Sequence, residues 1–79
     1  MPRFRFFWVD DNIEHVEEHG ITVEDFERIV SNPIKTNVSD SSDRLCAFGF
    51  NSDGRYTICF YEMFDELTVL PVTAYEVEQ

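Results

Sequence analysis

From Arg3 to Trp8 the chain alternates, with Phe4, Phe6 and Trp8 at one parity and Arg3, Arg5 and Phe7 at the other. A period of two marks a strand with two unlike faces, so this stretch is read as a first strand whose ring face meets the core and whose Arg3, Arg5 and Phe7 point away from it. The period then changes. Asp10 or Asp11 is placed to accept the first free helix N–H groups, Ile13 and Val16 fall three apart, and His19-Gly20 reads as a last turn followed by a left-handed cap. A second, better marked helix follows. Thr22 with Asp25 three residues on resembles a capping box, Val23, Phe26 and Val30 recur on one side, and Asn32-Pro33 stops the run.

Pro33 to Asp43 is polar and is read as an exposed loop, the segment with most freedom to move, in which Ile34 to Val38 has the makings of a short extended piece. Two apolar runs, Leu45 to Asn51 and Arg55 to Glu62, then flank Asn51-Ser52-Asp53-Gly54. Asn first and Gly last suit a type I turn closed by a bulge with its glycine left-handed, which sets Asn51 opposite Arg55. That register aligns Cys46 with Phe60, Phe48 with Ile58 and Phe50 with Tyr56, and this wholly apolar face is expected to be the core face. The opposite face, Leu45, Ala47, Gly49, Thr57, Cys59 and Tyr61, is expected to be the outer one. The same register separates Cys46 and Cys59 onto opposite faces and so predicts two free thiols. After a turn near Met63 to Glu66, Leu67 to Tyr75 forms a last strand in which Pro71 points to an edge position or a bulge.

The fold class expected is therefore α+β in the order β-α-α-β-β-β: a small antiparallel sheet with two N-terminal helices on its apolar face. Seventy-nine residues with twelve aromatics fit one domain over 1–79 and exclude a multidomain enzyme, while the apolar content excludes a disordered chain despite a net charge of -10. Met1 to Val9 is too short and too charged for a secretory leader, and no window is long and apolar enough for a membrane span, so a cytoplasmic protein with reduced cysteines is expected.

Charge is unevenly spread. Between Asp10 and Arg28 lie eight of the sixteen acids and a single base, and Arg3, Arg5, Lys35, Arg44 and Arg55 all fall outside that stretch. By parity Arg3, Arg5 and Phe7 share the outer sheet face with Arg55, Thr57 and Tyr61, which would bring guanidinium groups and rings together, the ingredients of a single-stranded RNA site or of a protein interface. Asp11, His15 and His19 at four-residue spacing lack the third strong ligand of a zinc site, so no metal and no cofactor is assigned. A cysteine within a strand has no helix N-terminus to activate it, and the helix carboxylates are read as a solubilising surface.

Phe7-Trp8, Asn12-Ile13-Glu14-His15-Val16, His19-Gly20-Ile21-Thr22, Asn32-Pro33, Gly49, Gly54-Arg55 and Val72-Thr73-Ala74, in that order, resemble the BrnT-like group of small bacterial proteins over nearly the whole chain. That resemblance implies a RelE/ParE-superfamily toxin of a toxin-antitoxin pair, with a RelE-like fold, metal-independent ribonuclease activity on messenger RNA, and an antitoxin protein as partner. It assigns Arg55, aligned with the Gly-Arg motif, and Arg44 to holding a phosphate, with Tyr61 or Tyr75 as stacking or proton-relay groups; Arg3, Arg5, Phe7 and Thr57 would contact RNA or a partner. Tyr75 stands where the group carries a basic segment, and the chain is acidic where such toxins are basic, so the expected activity is weak or lost. The alternative is a non-catalytic acidic interaction module or homodimer on the same scaffold.

Overall fold

A computed structural model describes residues 3–38 and 44–77. The elements are β1 (Arg5–Phe6), α1 (Asp10–Glu18), α2 (Val23–Ser31), β2 (Lys35–Val38), β3 (Leu45–Phe50), β4 (Tyr56–Met63) and β5 (Thr68–Glu76). The strands form one five-stranded sheet in the order β1-β5-β4-β3-β2. The class is α+β as expected, with two differences in the sheet. Ile34 to Val38 supplies a full extra strand, β2, antiparallel to β3, and β1 runs parallel to β5, so the sheet is mixed. The parallel pairing follows from the path of the chain, which leaves β1 through both helices and comes back beside it only at the end; Arg5 N–H donates to the Leu67 carbonyl at 2.6 Å and Phe7 N–H to that of Val69 at 2.9 Å. The rest of the expected loop, residues 39–43, lies outside the described residues.

The helix ends follow local chemistry. Val9 stands at the N-cap of α1 with no side-chain cap, and Asp10 and Asp11 instead sit in the first turn, where their charge opposes the helix dipole. At the other end Gly20, at φ 81°, lets its N–H reach the Glu17 carbonyl at 3.0 Å and that of Ile21 reach Val16 at 3.1 Å, a Schellman closure that turns Ile21 into the core. Thr22 caps α2 by accepting the Asp25 N–H at 3.1 Å.

The hairpin register is the expected one: Cys46 opposite Phe60, Phe48 opposite Ile58, Phe50 opposite Tyr56. Gly54, at φ 76°, closes the turn by donating its N–H to the Asn51 carbonyl, while the Asn51 side-chain oxygen accepts the N–H groups of Asp53 and Arg55 at 3.0 and 2.9 Å. Pro71 sits at an irregularity in the β4–β5 ladder and past Val69, where the pairing of β5 with the short β1 has ended, so it meets both settings expected for it, a bulge and an edge-like flank.

Which face the helices cover is the reverse of the expectation. The buried core joins Val16, Ile21, Phe26, Ile29 and Val30 of the helical layer to Ala47, Cys59, Tyr61, Val69 and Ala74 of the sheet, with Phe4, Phe6 and Trp8 closing one side. The covered face is therefore the one bearing Leu45, Ala47, Gly49, Thr57, Cys59 and Tyr61. Size decides the matter, because a helix settles closest where sheet side chains are small: Ala47, Gly49, Cys59 and Ala74 make a floor into which Ile29 and Phe26 insert. Phe6 and Trp8 meet Phe26 edge to face, and the Trp8 indole N–H donates to Glu27 Oε2 at 2.8 Å.

Candidate functional site: the open face of the sheet

The side of the sheet away from the helices carries the larger rings. Phe48 stacks on Tyr56 with centroids 5.7 Å apart, Phe50 tilts against the same Tyr56 at 5.5 Å, and Phe60 meets Tyr75 at 5.8 Å. Ile58 and Cys46 are buried beneath these rings. At the β2 edge Lys35 Nζ lies 4.7 Å from the centroid of Phe48, a cation–π contact. At the β1 edge Phe7 and Phe64, 61% and 74% exposed, line an apolar hollow of about 340 Å³ with Thr68 and Leu70. The flank of α1 reaches the same face, since His19 packs at 6.2 Å against Tyr75 and His15 lies 5.5 Å from His19.

Charge on this face departs from that of the chain. Strand alternation and register place Arg5, Lys35 and Glu62 there, and Arg44, just before β3, shares the parity of Cys46: three bases and one acid among the described residues, on a chain of net charge -10. The eight acids from Asp10 to Glu27 belong to the helical layer or the approach to it. The segregation expected from sequence is thus present for the acids and the rings, but not for the arginines.

The arginines are scattered rather than gathered on this face. Arg3 lines a cleft of about 510 Å³ with Phe4, Phe6, Glu24 and Glu27, beside α2. Arg5 lies beside Asp65 and Glu66 in the β4–β5 turn. Arg55 pairs with Glu76 Oε1 at 3.3 Å, and Glu76 shares the helix-side parity of Ala74. Arg5 faces Thr68 at one end of β5 and Arg55 bonds Glu76 at the other, roughly 25 Å apart along an extended strand. Arg44 is exposed at the entry to β3. The expectation that Arg3, Arg5 and Arg55 share a surface is therefore corrected: alternation holds for Arg5 and Phe7, Arg3 lies beside α2, and the hairpin turns to the helices the face opposite to the one expected.

The same inversion moves two further residues. Thr57 is fully buried and donates its hydroxyl to the Arg55 carbonyl at 3.0 Å, and Tyr61, 7% exposed, lies in the core on the helix side. Burial pushes the Tyr61 hydroxyl above its ordinary value. Tyr75, 40% exposed, stays on the open face, so the two tyrosines stand on opposite sides of the sheet. Of the residues singled out from sequence, the fold brings Arg5, Phe7, Arg44 and Tyr75 to one face. Phe48, Phe50, Tyr56, Phe60 and Lys35 join them there, and the signal that would have found them is side-chain volume at alternate positions.

Two buried polar sites serve the scaffold. Burial alone would raise the Asp25 carboxyl, but the Ser52 hydroxyl at 2.6 Å, the Ser52 N–H at 3.1 Å and the Arg28 guanidinium at 3.0 Å outweigh it and hold it below its usual value. Asp25 thereby ties α2 to the β3–β4 turn, and Arg28 adds a bond to the Phe50 carbonyl at 2.8 Å. Burial, with the Asp25 charge assisting, pushes the Cys59 thiol up to about 12, which removes it as a nucleophile. Cys46 and Cys59 are both free and lie on opposite faces. Among the described residues no three metal-ligating side chains converge, and no helix is long and apolar enough to cross a membrane. No protein-family model, curated protein or solved structure matches the chain.

Proposed function

We propose that this chain is a BrnT-like toxin homologue that works as a non-catalytic interaction module, docking a protein on the open aromatic face of its sheet. The observation that carries the reading is the contrast on that face: rings in mutual contact, with Glu62 as its acid, on a chain of net charge -10. Exposed contiguous rings bordered by a few polar groups are the composition of an interface core. RNA is the weaker occupant, because its affinity comes chiefly from phosphate neutralisation and the face offers Arg5 and Lys35 at opposite edges, with Arg44 at the entry to β3. Apart from the added strand β2, a strand, two helices and an antiparallel run of three strands is the order that the family resemblance implies, which supports the ancestry.

Two experiments test this. A photo-reactive benzoyl-phenylalanine at Tyr75 in growing bacteria should crosslink to protein, and one at Glu17 on the acidic helix should not; absence of a Tyr75 product would overturn the docking face. Induced expression should leave growth and cellular RNA intact. Growth arrest with cleaved cellular RNA, both relieved by Arg55→Ala, would instead support the ribonuclease.

A further inference from the structure

We infer that the occupant of the open face is a second copy of this chain, packed sheet against sheet; this rests on the interaction reading above and names its partner. The first argument is electrostatic. Two chains of net charge -10 repel, and any contact through α1 or α2 would press acid against acid. Sheets stack about 10 Å apart and each helical layer adds about another 10 Å, so a sheet-to-sheet pair holds the centres of its helical layers roughly 30 Å from each other, with the His19 end of α1 coming nearer where it packs on Tyr75. That is more than three Debye lengths at physiological salt. The open face is thus the side on which this chain can meet itself. A basic partner would be drawn to the helical layer instead, where the carboxylates are.

The second argument is shape and area. A five-stranded face is complemented by another sheet, the twist of each aligning the two at about 30°, whereas a helix needs a groove. Five strands at about 4.8 Å spacing, six or so residues long at about 3.3 Å each, give on the order of 500 Å² per copy in projection. Side-chain relief raises this, so two copies bury somewhat more than the ~1,000 Å² needed for a specific contact. The interface is isologous, with Phe48, Tyr56, Phe60 and Tyr75 of each copy at its centre.

The test is sedimentation velocity on the purified full chain from about 1 to 200 μM in low and high NaCl, with far-UV circular dichroism to check the fold. The expected species has twice the 9.3 kDa mass of the chain, and its apparent Kd falls several-fold as salt screens the acidic layers. Phe48→Glu and Phe60→Glu should each give a folded monomer, and Glu17→Lys should leave the dimer intact. The wild-type salt series needs no variant and decides the sign alone. A monomer at every concentration, a dimer that weakens with salt, or one that survives both open-face substitutions would overturn the proposal. A monomer that still crosslinks from Tyr75 to a different protein would overturn the homodimer and leave the docking face standing.

Discussion

The Cγ1 and Cγ2 atoms of Ile29 lie 3.1 Å from the point a Cβ on Gly49 would occupy. α2 therefore rests on the bare backbone of β3, and this contact fixes which side of the sheet is covered. Everything on the opposite parity, from Lys35 to Tyr75, is left without a helix.

A bulky side chain at Gly49 must displace Ile29 or lift the helix. Gly49→Val is expected to cost about 2–3 kcal/mol by overpacking, read as a lower urea midpoint with an unchanged slope. Phe50→Ser, on the open face and 44% exposed, should cost less than Gly49→Val. Equal or inverted costs would contradict the face assignment.

Asp25 links acid to stability. Its carboxyl is held below the ordinary value in the fold, so the unfolded chain binds the proton more readily; the stabilisation is complete above the unfolded pKa of about 4 and is lost as pH falls through the lower folded value. Asp25→Ala should cost about 2–3 kcal/mol at pH 7, since it removes the charge-assisted bonds from Ser52 and Arg28 that tie α2 to the β3–β4 turn, and should flatten the fall in urea midpoint below pH 4.

Much of this was legible in the chain, and the part that was not has a definite cause. The Asn51-to-Gly54 turn fixed the hairpin register because each backbone group there has one obvious partner, and Phe4, Phe6 and Trp8 were correctly sent to the core because their opposite parity holds Arg3 and Arg5. The hairpin itself is apolar on both faces, so polarity could not choose between them; Ala47, Gly49 and Cys59 against Phe48, Phe50 and Phe60 is a difference of volume. That one inversion carried Thr57 and Tyr61 to the wrong side. β2 was half visible, its polar Lys35-Thr36-Asn37 reading as loop because an exposed edge strand needs no apolar face. The direction of β1 depends on which strand it meets at the end of the chain, and no local pattern encodes that.

Cys59 should be silent to thiol reagents in the native state. With its thiol pushed up to about 12 and fully buried, labelling by a disulfide reagent at pH 8 is expected only as fast as the protein opens, and to accelerate on adding urea below the midpoint. Rapid labelling in water would place Cys59 outside the core.

Arg55 pairs with Glu76 across an exposed surface, its side chain 67% accessible. Arg55→Ala should therefore cost under about 1 kcal/mol and melt within a few degrees of the parent, which makes it a sound control for the expression experiment. A loss of several kcal/mol would mean that the pair does structural work at the sheet end.

Hydroxyl-radical footprinting of the three tyrosines along a dilution series tests the assignment of the two faces most directly. The account predicts that Tyr75 and Tyr56 are modified in dilute protein and become protected as the chains associate, while Tyr61 stays unmodified throughout. Modification of Tyr61 at the rate of Tyr75, or protection that spreads over α1 and α2 and leaves the rings open, would contradict it.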